Sequence, residues 1–214
     1  MRVFKLVSLL GLIVFCLMPG YSRADVSAGI SLDGDGIKGF YLAIGDHYNV
    51  SQDQVVVVRQ RNIPDEELPV VFFLARRAGV APDVIIKLRL GGKSWMDITA
   101  DFGLSPEIYY LPVTIDPGPP YGKAYGHFKN RDRHEWGRIW LADADIVNFV
   151  NLRFLSEHYK CSPEDVIKLR QGGRTFVDIN AKVKTAKGEG KTGRADAGVN
   201  EKSKDKGKGK GKKK

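Results

Sequence analysis

An internal repeat constrains this chain more than any other feature. Residues 83–98 read DVIIKLRLGGKSWMDI and residues 164–179 read EDVIKLRQGGRTFVDI, 81 positions apart. Lys87, Leu88, Arg89, Gly91, Gly92, Asp97 and Ile98 recur as Lys168, Leu169, Arg170, Gly172, Gly173, Asp178 and Ile179, with Trp95 matched by Phe176 and Lys93 by Arg174. Such self-similarity marks a fold assembled from one supersecondary unit used more than once. The unit reads as helix, turn, helix. Ser162-Pro163-Glu164-Asp165 places Ser at an N-cap, Pro at the first helical position and acids in the first turn. Val166, Ile167 and Leu169 form an apolar stripe. Gly172-Gly173 ends the helix, because glycine accepts the left-handed conformation past a C-terminus. Thr175 to Asp178 then spells a capping box with Asp in place of Glu, and Gly91-Gly92 with Ser94 to Asp97 does the same in the first copy. Asp97 and Asp178 are therefore read as caps and not as a paired-carboxylate site.

A weaker third copy lies 30 residues before the first. Val55, Val58, Arg59 and Leu68 parallel Ile85, Leu88, Arg89 and Ile98, while Arg61-Asn62 stand in place of the glycine pair. A helical stretch precedes each unit, over residues 39–48, 69–79 and 142–160. In the last, Ile146, Phe149, Val150, Phe154 and Leu155 keep helical spacing, and Asp143 or Asp145 is available to cap it. Residues 26–32 alternate weakly, as a short strand would. Asp33-Gly34-Asp35-Gly36 is a turn and not a calcium loop, since Ile37 occupies the fifth position and the bidentate Glu is missing. The expectation is an all-α domain of helix–GG turn–helix units.

The N-terminus predicts an address. Arg2 and Lys5 flank an apolar run from Leu6 to Met18, and Ser22-Arg23-Ala24 offers small side chains at the positions a signal peptidase reads. Residues 1–24 are read as a secretory signal peptide and the chain as periplasmic or secreted. Only Cys161 then remains, which permits no internal disulfide and reads as a small buried side chain. The net charge of +9 is concentrated at the end, where residues 182–214 hold 13 basic against four acidic residues. Residues 184–214 are rich in Lys and Gly and predicted disordered, while residues 25–183 form the folded domain. Such an arm implies attraction to an anionic envelope polymer or membrane surface.

Residues 105–141 interrupt the repeats with a different composition. Five prolines break helices, and Tyr109, Tyr110, Tyr121, Tyr125, Phe128, Trp136 and Trp140 crowd the segment with rings. Lys123, Lys129, Arg131, Arg133 and Arg138 make it basic. Trp136 and Trp140, four apart, would share a face if helical. Long ordered insertions often carry function, so the candidate binding residues are Tyr121, Tyr125, Arg131, Arg133, Trp136, Arg138 and Trp140. Gly91, Gly92, Gly172, Gly173, Asp97 and Asp178 are assigned to turns and caps.

Two resemblances bear on this reading. LRLGGKSWMDITADFGLSPEIYYL is similar to the helix-turn-helix of resolvase-like and sigma-factor-like regulators, which implies DNA binding. Against that, the would-be recognition helix, residues 106–111, has no Arg, Lys, Asn or Gln for base edges and is stopped by Pro112. The repeated LRxGGxSW units, the PPYGKAYG stretch and the basic tail also resemble a group of uncharacterised exported bacterial proteins, which implies localisation and fold but no activity. None of His47, His127, His134 and His158 falls in a zinc motif, and GxSxG, P-loop and dinucleotide fingerprints are missing, so no catalytic residue, metal or cofactor is assigned. The leading expectation is a non-catalytic binding or scaffold module of the cell envelope. The alternatives are an enzyme acting on envelope polysaccharide or peptidoglycan through residues 105–141, and a helix-turn-helix DNA binder.

Overall fold

The computed structural model describes residues 35–196 in backbone and residues 36–187 in burial. The chain divides into Met1–Ser31 and Leu32–Lys214, and the described residues belong to the second unit. The leader, the strand expected over residues 26–32 and residues 197–214 lie outside them. The described residues form an all-α fold with no strand among them. Nine helices follow in order: α1 (Asp35–Tyr48), α2 (Gln52–Gln60), α3 (Leu68–Ala78), α4 (Pro82–Leu90), α5 (Trp95–Asp101), α6 (Gly118–Lys129), α7 (Asp143–Tyr159), α8 (Pro163–Gln171) and α9 (Phe176–Asp196). Short 3₁₀ segments occupy Asp65–Glu67, Pro106–Tyr109 and Arg133–Arg138.

The core is built around α7. Its residues Ile146, Phe149, Val150, Leu152, Phe154 and Leu155 are buried all round the helix, which is the pattern of a helix enclosed by others. Helices α1, α3, α5, α6, α8 and α9 all pack against it. In α3, every residue from Leu68 to Ala75 is buried. Asp145 Oδ2 accepts the Ala142 N–H at 3.2 Å and so caps α7. Asp143, the other candidate cap, is turned toward the first repeat copy.

The three copies take corresponding elements. Helices α2, α4 and α8 are each nine residues long. The residue after each has ordinary helical-side φ, at Arg61, Gly91 and Gly172. The residue after that is left-handed: Asn62 at φ 61°, Gly92 at 87° and Gly173 at 79°. Asn is the non-glycine residue that best tolerates this region, so it replaces the second glycine without changing the path. Ser94 Oγ accepts the Asp97 N–H at 3.0 Å while Asp97 Oδ2 accepts the Ser94 N–H at 3.1 Å. Thr175 and Asp178 reciprocate in the same way, at 3.1 and 3.3 Å.

One acidic turn holds all three copies together. In the first copy Arg89 lies 4.6 Å over the Trp95 ring, donates to the Lys93 carbonyl at 3.1 Å, and clasps Glu67 through two bonds of 3.0 and 2.9 Å. In the second, Arg170 lies 4.3 Å over Phe176, donates to the Arg174 carbonyl at 2.8 Å, and clasps Glu66 at 3.3 and 3.2 Å. In the third, Asp65 stands where the other copies carry the ring, and Arg59 pairs with it directly at 2.6 Å. The turn Asp65-Glu66-Glu67 thus gives one carboxylate to each arginine. In the two strong copies the first amide of the second helix is also covered, since Asp143 Oδ1 accepts the Trp95 N–H at 2.8 Å and Glu66 Oε1 accepts the Phe176 N–H at 2.6 Å. Those amides are orphans by helix geometry, and a carboxylate there also meets the positive end of the helix dipole.

Three expectations are corrected. The boundary at residue 184 falls inside α9, which continues to Asp196; residues 184–196 contain no Pro to stop it, and glycine lowers helix stability without forbidding it. Residues 105–141 are not irregular throughout, because α6 forms within them. Trp136 and Trp140 do not share a helical face: the 3₁₀ segment ends at Arg138, and Ile139 is extended at ψ 134° and buried.

Candidate binding groove

The groove is made by residues 110–136 folded over α6. On one face of α6, Tyr121, Ala124, Tyr125 and Phe128 are buried, and Tyr125 and Phe128 meet Phe149 of α7 at ring centroid distances of 4.9 and 6.0 Å. On another face lie Gly122 and Gly126, four apart, so that part of the face is bare backbone, while Gly118 stands before the non-helical Pro119 and out of register with them. An extended segment, Tyr110 to Pro117, runs beside this bare face. Between them is a cavity of about 540 Å³ lined by Tyr110, Thr114, Asp116, Lys129, Asn130 and Trp136 with Gly122 and Gly126 at its base.

Its aromatic wall is rigidly held. The rings of Tyr110 and Trp136 approach to 4.7 Å, and Phe128 packs behind both at 5.1 and 5.0 Å. The indole N–H of Trp136 donates to the carbonyls of Phe128 and Arg131 at 3.1 and 3.2 Å, which fixes its rotation. Arg133 lies 5.4 Å over the indole ring and pairs with Glu107. The segment from Tyr110 to Thr114 is tied down at three points. Tyr125 donates its hydroxyl to Leu111 O at 2.7 Å, Arg153 donates to Tyr110 O at 2.7 Å, and Thr114 gives its N–H and hydroxyl to Glu164 Oε1 at 2.8 and 2.9 Å. Those donors, led by the Thr114 backbone, hold the Glu164 carboxyl down to about 2.

A second hollow of about 470 Å³ continues from the first across Gly126 and Asn130 and is lined by Lys123, His127 and Arg131. The combined surface has an aromatic wall, a few hydrogen-bonding groups and a cationic shoulder. This composition suits a polar ligand with flat apolar faces and negative charge. Asp116 is the one carboxylate lining the larger cavity. A glycosidase acid–base pair needs two, roughly 5–9.5 Å apart.

The candidate residues read from sequence are distributed unevenly. Tyr125 and Trp136 line the groove and Arg131 its extension. Tyr121 is fully buried, its hydroxyl unpartnered, and belongs to the core. Arg133 and Arg138 are exposed beside the groove, and Trp140 is 60% exposed away from its lining. Tyr110 and Lys129 were named in sequence only among the segment's rings and cations, and Thr114 and Asn130 were not assigned to binding. The spacing of Gly122 and Gly126, one helical turn apart, is the signal that would have located their cleft.

Elsewhere, Cys161 is half-buried, and burial pushes its thiol up, away from the thiolate form. No group of three or more His, Cys, Asp or Glu able to hold a metal occurs among the described residues, and no helix among them is long and apolar enough to cross a membrane. Helices α4 and α5 are followed by the four-residue 3₁₀ turn Pro106–Tyr109, with Pro106 and Tyr109 buried, where a DNA-reading helix would lie. Comparison with family models, curated proteins and solved structures finds no match to this chain.

Proposed function

We propose that this chain is an exported, non-catalytic binding protein of the cell envelope whose groove over α6 takes an acidic glycan or similar anionic envelope polymer. The observation that carries the reading is the junction of two surfaces: the Tyr110–Trp136 ring pair and the Lys123–Lys129–Arg131 shoulder. Rings stack on the flat faces of sugars, and the cations meet carboxylate or phosphate groups along the polymer. The basic arm, with eight lysines and two acids over residues 197–214, adds attraction that reads charge and not sequence. The leader read over residues 1–24 supplies the address.

The test is a titration of the mature chain with acidic and neutral oligosaccharides of equal length, read by isothermal titration calorimetry. Acidic oligosaccharides bind and neutral ones bind more weakly. Trp136→Ala lowers affinity by about tenfold, as removal of an anchoring ring does. Lys129→Ala with Arg131→Ala removes the preference for the acidic ligand. A chain lacking residues 197–214 keeps the ring-dependent part but loses most of the affinity that falls between about 50 and 200 mM salt. Affinity indifferent to both Trp136 and the Lys129–Arg131 pair refutes the assignment.

A further inference from the structure

A separate pocket, of about 330 Å³, lies apart from the groove lining where the end of α1, the last turn of α3 and α7 meet. It brings together Arg76, Arg77, Arg153, His47 and Tyr48, opposed by the single carboxylate of Glu157. We infer that this pocket binds a phosphate group. Arginines in the last turn of a helix commonly serve the helix dipole, and Arg76 and Arg77 do sit there in α3. That role does not explain their convergence with a third guanidinium from another helix. Neither Arg76 nor Arg77 has an ion-pair partner among the described residues. Arg153 spends one donor on Glu157 at 3.2 Å and one on Tyr110 O at 2.7 Å, and retains others.

Tyr48 is the second, independent indication. It is 8% exposed, yet its hydroxyl has no hydrogen-bond partner among the described residues, and it lines this pocket. The hydroxyl oxygen keeps some solvent-accessible area, so water or a ligand in the pocket can reach it. Its ring is fixed between Phe72 and Phe154, with centroids 5.9 and 6.1 Å away and planes within 30° of parallel. The hydroxyl is therefore held in place ahead of any ligand. Burial, with Glu157 adding to it, pushes its pKa upward, so it stays a donor. A tetrahedral oxyanion has enough acceptors for three guanidiniums and a phenol, whereas a carboxylate has only two oxygens. His47 completes the rim beside Tyr48, with its ring 4.6 Å from the Tyr48 ring.

The phosphate can belong to a soluble phosphorylated metabolite or to a lipid headgroup, and the experiment separates these. The full chain is titrated with inorganic phosphate and with glycerol phosphate by ³¹P line broadening, and sedimented with phosphatidylglycerol or phosphatidylcholine vesicles. Arg76→Gln with Arg77→Gln weakens binding by about tenfold or more, and Tyr48→Phe, which keeps the stacked ring, weakens it about three- to tenfold. Both variants keep the parent's melting temperature; if the double variant does not fold, Arg77→Gln alone carries the comparison. Residue-dependent binding of the soluble phosphates assigns a metabolite. Residue-dependent binding of phosphatidylglycerol vesicles alone assigns a headgroup. No phosphate binding in any arm, or binding that these substitutions leave unchanged, overturns the inference.

Discussion

At the scale of single residues, the repeat turns separate two glycines that look equivalent in sequence. Gly92 and Gly173 have positive φ, and a Cβ built on either meets nothing within 4 Å, so the requirement for glycine there is conformational and not steric. Gly91 and Gly172 have φ of −74° and −72°, and the third copy places Arg61 at the same position. Gly92→Ala or Gly173→Ala is therefore expected to destabilise by about 1 kcal/mol, and the corresponding valines by about 1–2 kcal/mol. Gly91→Ala costs clearly less. Urea midpoints of these five variants check this ordering, and equal losses at Gly91 and Gly92 would remove the backbone explanation. The positive φ was legible because a GG pair ending an apolar stripe has few other uses. The carboxylates that clasp Arg89 and Arg170 were not, because Glu66 lies 104 residues from Arg170 and no local pattern links them.

At the scale of elements, periodicity located α1, α3, α4, α7 and α8, and capping residues located the starts of α5 and α9. It failed at α6. The stretch GPPYGKAYGHFK is rich in Gly and Pro and so argues against a helix by propensity. Burial of Tyr121, Tyr125 and Phe128 on one side overrides that, at spacings of four and three. The end of α9 was misplaced for the opposite reason, since its lysines and glycines were counted as coil. Val183 is buried, and α9 packs on α1. Removing residues 197–214 is expected to leave the melting transition unchanged, whereas removing residues 184–214 frays the turn carrying Ile179 and Val183 and lowers stability by about 1 kcal/mol. Thermal unfolding of the two truncations decides between an arm that begins near 184 and one that begins after α9.

At the scale of the whole molecule, the two half-buried imidazoles set a pH dependence. His47 and His158 lie 6.2 Å apart, and burial lowers the pKa of both; Glu157 and Asp46 oppose this, while Arg76 and Lys160 reinforce it at His47 and Lys160 does so at His158. The unfolded chain thus binds protons more readily than the folded one. Their contribution is fully present above the ordinary histidine value of about 6.5 and is lost as pH falls below it. Glu164, held down to about 2, acts in a separate window: its contribution stands above the ordinary glutamate range and disappears as pH approaches 2. Urea midpoints should fall between pH 7 and pH 5, and His47→Gln with His158→Gln should flatten that slope while leaving the acid limb intact. The acidic turn Asp65-Glu66-Glu67 has its own large-scale meaning. In a solenoid each repeat touches only its neighbours, so copies can be added or lost with little consequence to the rest. Here every copy is tethered to one three-residue hub with one carboxylate per arginine. A fourth copy would find no docking point, loss of the first or second would strand a carboxylate at the hub, and loss of the third, which contains the hub, would unseat both others. The architecture can diverge by changing what hangs between its copies, as residues 105–141 do, but it cannot grow by counting.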